Sequence, residues 1–423
     1  MRLVNLHVIL FVVCLTILSL IGCDKGDSNK IAQTDHHAIH VTDIIDSSVT
    51  VVPETETETE TETDAETETP EAVKKEASSV VEKALSHKGE RIIRFILSSD
   101  AHQDNSNELI TKGTIELGLA QREILKLMDV DFVASLGDYA WGSYQNTVTE
   151  VVEQIEAYKK HTAIEGVCQF WCEGNHDDGN YSLKNHPDST RLNESDLYSL
   201  LYSANSDAIY DKDHATEGYF YKDFPHLKVR LIFLNTEQGD GDGGFMEEHQ
   251  LVWFAETALN MSGKADWNVI TLAHHPLDYG MASIIRDCTS ILEAFIQGTT
   301  LDHTTRAGTK ISVDYSNNNS QYVGHFHGHT HCFTVLPILK QRSGIQSEIG
   351  AYEIGIPNAC YFRNNQNLGN SNPNIARFST DITYNKSDED GKRTSFSVVT
   401  ICLDERIIYV DNYGVGIDRE IAF

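Results

Sequence analysis

The sequence predicts a layered α/β or α+β fold built on one large domain. Two observations favour this fold. Apolar runs of strand length alternate with segments of helical periodicity. Polar residues directly follow several of the apolar runs, and sheets of this kind build their sites at the ends of strands. The chain has 423 residues, 40% of them hydrophobic, which is ample for a packed core.

The first 23 residues predict an export signal. One Arg precedes an apolar run of signal-peptide length, which ends in Leu20-Ile21-Gly22-Cys23. That ending resembles the bacterial lipobox, which implies a lipid anchor on Cys23 and an extracytoplasmic lipoprotein, periplasmic or at the cell surface. The alternatives are an ordinary signal peptide, which gives a secreted protein, or an uncleaved anchor. All three place the remaining chain outside the cytoplasm.

Residues 24–89 predict a disordered acidic tether. Acidic residues alternate with Thr over residues 54–69, except at Ala65, so the carboxylates repel one another and almost no apolar surface can be buried. Lys74–Ser86 can form a short helix. The formal net charge of the chain is -30, and phosphates repel an acidic face. Long nucleic acids are therefore not expected as partners, and no protein partner is predicted.

The domain is expected to span residues 90–423, with a C-terminal strand extension. Apolar runs predict strands at residues 91–99, 130–136, 166–171, 219–224, 229–235, 267–273, 322–327, 394–403 and 406–410. Helical spacing predicts helices near residues 114–128, 148–161, 195–203, 250–254 and 284–297. The cysteines include no C-x-x-C pair, and most are interpreted as small buried hydrophobic residues.

Chemistry-bearing residues follow five of the predicted strands. Taken in order, they are Asp100-x-His102, Gly137-Asp138, Gly174-Asn175-His176-Asp177, His274 and Gly328-His329-x-His331. This series resembles the calcineurin-like metallophosphoesterases, whose motifs run D-x-H, G-D, G-N-H-[DE], H and G-H-x-H. The resemblance covers roughly residues 91–335. It implies a four-layer α/β/β/α sandwich with two mixed β-sheets and the site at the strand ends.

The resemblance also implies two divalent metal ions, since paired ions activate water and clamp phosphate oxygens. The ligands implied for the first ion are Asp100, His102, Asp138 and His331. Those implied for the second are Asp138, Asn175, His274 and His329, with Asp138 as the bridge. Mixed nitrogen and oxygen ligation fits Mn, Fe or Zn better than Ca.

Other roles follow from the same resemblance. His176 is expected beside the phosphate, where it stabilises charge or protonates the leaving oxygen, and Asp177 is expected to orient it. Candidate substrate contacts are Asn175, His275 and Arg363, although His275 can instead be packed and Arg363 can be an ordinary surface residue.

Two alternatives concern these motifs. Gly324-His325-Phe326-His327 also fits G-H-x-H, but Gly328–His331 is preferred because residues 322–327 supply the strand that the motif closes. His325 and His327 are then strand residues. Purple acid phosphatases carry a metal-bound Tyr where Trp141 stands, and their first motif lacks a His such as His102. Trp141 is therefore interpreted as a wall of the cleft or as core.

The function implied is metal-dependent hydrolysis of small phosphate mono- or diesters, by attack of metal-activated water at a dinuclear centre outside the cytoplasm. The alternative is a surface lipoprotein of the same fold that binds metal or ligand without catalysis.

Overall fold

Strands and amphipathic helices alternate in a computed structural model that describes residues 68–186, 190–205, 207–238, 244–277, 285–342, 345–360 and 389–423. The described helices are α1 (Glu71–Ser86), α2 (Glu108–Leu127), α3 (Val148–Thr162), α4 (Glu194–Leu200), α5 (Glu248–Trp253) and α6 (Ile285–Gln297). The first described strands are β1 (Ile92–Ser98), β2 (Phe132–Ser135), β3 (Gln169–Trp171), β4 (Ile209–Tyr210), β5 (Phe220–Phe224), β6 (Val229–Phe233) and β7 (Asn268–Ala273). The later ones are β8 (Thr300–Thr304), β9 (Lys310–Asp314), β10 (Gln321–His327), β11 (Thr334–Arg342), β12 (Ile345–Gly355), β13 (Phe396–Cys402), β14 (Ile407–Tyr413) and β15 (Arg419–Ala422).

Two large mixed sheets organise the molecule. The six-stranded sheet has the order β15-β14-β13-β1-β2-β3, and the seven-stranded sheet has the order β11-β12-β10-β7-β6-β5-β4. Within them, β1, β2 and β3 run parallel, as do β6, β7, β10 and β12. Parallel neighbours bring their carboxyl ends to one edge of the sheet, so the loops that follow them are neighbours in space.

The two sheets pack face to face, and helices cover their outer faces. Phe95 and Phe132 of the first sheet pack in the same cluster as Phe326 of the second, with the Phe95 and Phe326 ring centroids 5.6 Å apart. Helices α1, α2 and α3 cover the outer face of the first sheet. Helices α5 and α6 and the β8–β9 hairpin cover that of the second. The predicted four-layer α/β/β/α sandwich is confirmed.

The packed part of the chain includes helix α1 and therefore starts earlier in the sequence than the predicted position near Glu90. Val73, Ala77 and Val80 are fully buried, and their spacing of three and four residues places them on one face of the helix. That face packs in the cluster that includes α2 and the first sheet. The short helix predicted at Lys74–Ser86 is confirmed, and the disordered tether predicted over residues 24–89 is corrected at residues 71–86, which form a packed helix.

The predicted signal, with Cys23, and residues 24–67 of the tether lie outside the described residues. Within the described ranges, no helix is both long enough and apolar enough to cross a bilayer. Export and anchoring therefore stay predictions. All six cysteines of the described ranges are free, and five of them are buried, as predicted for most of them.

Candidate metal centre

The polar residues predicted from the strand ends converge at one edge of the sandwich. They occupy the loops after β1, β2, β3, β7 and β10. The convergent set is Asp100, His102, Asp138, Asn175, His274, His329 and His331.

The backbone at this edge is unusual. Five of these residues have left-handed φ angles between 48° and 61°: Asp100, His102, Asp138, His329 and His331. Non-glycine residues avoid this region, at a cost of about 1–2 kcal/mol each. Such conformations persist only where the surrounding structure enforces them, and they concentrate at functional sites. Here the left-handed residues are the candidate ligands themselves, in the loops after β1, β2 and β10.

One group of donor atoms is centred on Asp100 and His102. The Nε2 atoms of His102 and His331 lie 3.0 Å apart. His331 Nε2 is 3.3 Å from Asp100 Oδ1, and His102 Nε2 is 3.6 Å from Asp138 Oδ2. Two imidazole nitrogens and two carboxylates that face one point make a donor set for a divalent transition ion.

A second group lies on the other side of Asp138. His274 Nε2 is 3.4 Å from Asp138 Oδ2 and 3.0 Å from Asn175 Oδ1. The same amide oxygen is 2.9 Å from His329 Nδ1. His274 Nδ1 lies 2.7 Å from the Leu136 carbonyl, to which it donates, so Nε2 is the atom presented to the site. Asp138 Oδ2 is thus close to an imidazole of each group.

The electrostatics of the edge favour a cation. Burial lowers the pKa of His102 to about 3, so this imidazole is neutral and its lone pair can bind a metal. Burial alone would also lower the pKa of His274, but attraction by Asp138 and then Asp100 raises it well above its ordinary value. The buried carboxylates of Asp138 and Asp100 therefore stabilise positive charge at this point. The donor set and the charge both fit divalent metal ions.

His176 lies at the mouth of the site, partly exposed. Its Nδ1 donates to the Trp141 carbonyl over 2.7 Å, which leaves Nε2 for a ligand. The ring stacks on Tyr181 at 4.7 Å between centroids and meets the His102 ring edge-on at 4.8 Å. The Trp141 ring stacks against His176 at 6.0 Å, so Trp141 is a wall of the cleft.

The predicted role of Asp177 is corrected. Its carboxylate accepts hydrogen bonds from the backbone N–H groups of Gly174, Asp138, Tyr139 and Ala140, at 2.8 to 3.1 Å. It therefore fixes the loop that carries Asp138, whereas the Trp141 carbonyl orients His176. A carboxylate that satisfies several backbone donors of a loop holds its conformation in place.

The three residues predicted to contact substrate lie in different environments or outside the described residues. His275 is fully buried: its Nδ1 lies 2.5 Å from Glu237 Oε1, and its ring packs 3.9 Å from that of His329. Together with His274 and His329 it forms a group that could hold a metal ion, so a substrate contact by His275 stays a prediction. Asn175 lies among the donor atoms, as described. Arg363 lies outside the described residues.

The structure places the four histidines of the 322–331 stretch in two sets. His325 and His327 are buried in β10, as predicted, whereas His329 and His331 lie in the loop beyond it. His325 Nε2 donates to the His275 carbonyl over 3.1 Å, and its Nδ1 lies 2.9 Å from Thr271 Oγ1. Burial lowers the pKa of His325 to about 3, so it is a neutral strand residue.

Replacing His325 by Ala is expected to leave the metal content unchanged and to destabilise the fold by about 1–3 kcal/mol, because Thr271 and the His275 carbonyl lose a buried partner. Elemental analysis and urea unfolding measure the two effects. Loss of metal in His325→Ala but not in His329→Ala would contradict the preferred register.

Tyr181 and Glu237 belong to the surroundings of the site and were not predicted. The Tyr181 hydroxyl accepts from Asn175 Nδ2 over 3.1 Å, which turns the amide oxygen towards His274 and His329. Tyr181 lies five residues after His176 in a short 3₁₀ turn, and Glu237 follows β6. Glu237 does follow a strand end, which is a signal that could have found it.

The fold and the site together define an α/β/β/α sandwich with clusters of candidate metal ligands at shared strand ends. The family model for the calcineurin-like phosphoesterases matches residues 93–333. The chain belongs to the calcineurin-like phosphoesterase family.

Other comparisons add little. No curated protein matches the chain. Among solved structures, the NAD nucleotidase (NadN) of Haemophilus influenzae is similar over 79% of this chain, at 12% identity and a TM-score of 0.34. The match covers 50% of that protein, so this chain spans half of its length.

Proposed function

We propose that the protein is a metal-dependent phosphoesterase that hydrolyses small phosphate mono- or diesters at a centre of two divalent ions. The observation that carries this proposal is the place of Asp138. Its Oδ2 atom lies 3.6 Å from His102 Nε2 and 3.4 Å from His274 Nε2, between the two donor groups. A carboxylate in that position can serve two ions at once.

In this proposal Asp138 would serve both ions. Asp100, His102 and His331 would complete the ligands of one ion, and Asn175, His274 and His329 those of the other. When bound, the ions supply an activated water and neutralise charge on the phosphate oxygens. Imidazole and carboxylate donors fit Mn, Fe or Zn.

The residues of the chain hold and orient these groups. The carboxylate of Asp100 accepts from the His329 backbone N–H at 3.0 and 3.1 Å, which fixes the last loop against the first. The Trp141 carbonyl fixes His176 with its Nε2 towards the mouth. From there a protonated His176 can donate to the leaving oxygen of the ester.

The test is an assay of the purified full-length protein with Mn²⁺ or Zn²⁺, offered p-nitrophenyl phosphate and bis-p-nitrophenyl phosphate in parallel. Release of nitrophenol that EDTA abolishes and added metal restores is expected from at least one ester. The ratio of the two rates assigns monoesterase or diesterase activity. Bound metal without release from either ester would favour the non-catalytic alternative.

His176→Ala is expected to lower kcat by about 10²–10⁴-fold, the usual contribution of a positioned acid or base, and to leave the metal content unchanged. Steady-state rates and elemental analysis measure the two quantities. His226→Ala is the matched control, since His226 is exposed on the turn between β5 and β6. Metal loss in the His176 variant would show that this residue is a ligand.

We also propose that Cys23 carries a lipid that anchors the protein outside the cytoplasm. Cys23→Ala is expected to move the protein from the membrane fraction or to leave its precursor unprocessed. Fractionation and the mass of the processed chain provide the readout. Unchanged membrane association and processing in the variant would contradict the proposed anchor.

A further inference from the structure

A separate cluster of two histidines and one glutamate lies outside the strand-end centre. His214 and Glu217 belong to the loop between β4 and β5, and His249 lies on α5. One ligand atom from each lies within 4.8 Å of the others. The three residues come from two segments that are 32 positions apart in sequence at Glu217 and His249.

The side chains of this cluster face one another. His214 Nδ1 lies 2.5 Å from Glu217 Oε1, and His249 Nε2 contacts the other oxygen, Oε2. The two imidazole rings stack at 3.9 Å with an angle of 9° between their planes. Two parallel imidazoles thus present one nitrogen each to the two oxygens of a single carboxylate.

Hydrogen bonds from neighbouring side chains hold Glu217 in this position. Its side chain is 9% exposed, and its Oε2 accepts from Gln238 Nε2 over 2.7 Å. Its backbone carbonyl accepts from Asn235 Nδ2 over 2.8 Å. The histidine side chains are about one-third exposed, at 34% and 32%, so solvent and ions can reach the cluster. A fixed carboxylate with accessible imidazoles is a preorganised donor set.

Acidic side chains lie beside Glu217. Glu217, but neither histidine, lines a cavity of about 490 Å³ together with Glu194 and Glu237. Arg191, which also lines the cavity, is engaged with Asp178, with Nε and Oδ2 2.5 Å apart.

We propose that His214, Glu217 and His249 form a third metal site, for a borderline divalent ion such as Zn²⁺. Two imidazole nitrogens with one carboxylate is a donor set typical of zinc, whereas Ca²⁺ and Mg²⁺ prefer oxygen donors. A bound ion would join the β4–β5 loop to α5. This site does not depend on the proposed phosphoesterase activity.

The test measures zinc bound to full-length protein in which Asp138→Asn already impairs the strand-end centre. The protein is equilibrated with Zn²⁺, desalted and analysed for metal. Adding Glu217→Gln or His249→Ala is expected to remove one further equivalent of zinc, because each removes a ligand. Adding His226→Ala should remove none. The same two substitutions in the parent protein should also remove one equivalent.

A second readout covers variants that fold poorly. Zn²⁺ is expected to raise the melting temperature of the Asp138→Asn protein, and Co²⁺ to give a visible absorption band that His214→Ala, His249→Ala or Glu217→Gln weakens. Equal zinc content and an unchanged cobalt band in these variants would overturn the proposal and leave a hydrogen-bonded His–Glu–His cluster. Failure of the ester assay would leave this result unaffected.

Discussion

Asp138→Asn is expected to reduce kcat/KM by about 10³-fold or more and to lower the occupancy of both ions, because charge stabilisation by metal is worth several kcal/mol and each 1.36 kcal/mol is tenfold. Asn tolerates the left-handed backbone that Asp138 adopts at φ 56°. The exchange therefore removes charge with little change of shape. Elemental analysis and steady-state kinetics on the same preparation measure both effects.

Asp131→Asn is the control for this change. Asp131 accepts a hydrogen bond from the Arg94 backbone N–H over 2.8 Å and belongs to neither donor group, so it should leave metal and rate near those of the parent. Loss of only one ion from Asp138→Asn, with the other bound as tightly as before, would contradict a bridging role for Asp138.

Gly328→Ala is expected to lower metal affinity by about 10–100-fold, the usual cost of disturbing the support of a metal ligand. A Cβ at this position would lie 1.8 Å from Ser99 Oγ and 2.7 Å from Asp100 Oδ2. The loop after β1 or the one after β10 must then shift, and both carry candidate ligands. Overpacking should also cost about 1–3 kcal/mol of stability.

Gly308→Ala separates these effects, because nothing lies within 4 Å of its Cβ position. Its positive φ of 103° makes Ala unfavourable there, by about 1–2 kcal/mol, without contact to the metal centre. Zinc titration and urea unfolding of both variants are the measurements. If Gly328→Ala bound zinc as tightly as Gly308→Ala, the close approach of the two loops would not matter for the site.

The convergent residues could be predicted because each follows a buried apolar run. Residues 130–136 contain one strand and end in Gly137-Asp138, so the pattern itself gives the position of the carboxylate. Parallel pairing of β1, β2 and β3 then brings Asp100, Asp138 and Asn175 to the same edge. Hydrophobic periodicity gives the strand ends, and the resemblance to the family motifs implies which of the residues there are metal ligands.

Features that depend on three-dimensional contacts could not be predicted from the sequence. Strands β8 and β9 each have an alternating burial pattern with one buried apolar residue, Leu301 and Ile311, so no apolar run marks them. Asp177 supports backbone N–H groups of another loop, and no residue spacing shows this. His249 meets Glu217 only because α5 packs beside the β4–β5 loop.

The packing of helix α1 onto the domain could not be predicted from the sequence. Its buried face, with Val73, Ala77 and Val80, follows directly on the acidic repeat. The acidic repeat dominates the composition of the segment, so the short helix was expected within a disordered tether and not as part of the packed domain. Helix α1 packs against α2, and this tertiary packing stabilises a short helix that would be only marginally stable alone.

The most direct test of the two-ion centre is a crystal structure of the protein soaked with Mn²⁺ or Zn²⁺, with an anomalous difference map. Two peaks are expected on either side of Asp138. One should be bonded to Asp100, His102 and His331, and the other to Asn175, His274 and His329. A single peak, or two peaks that do not share Asp138, would contradict the proposed centre.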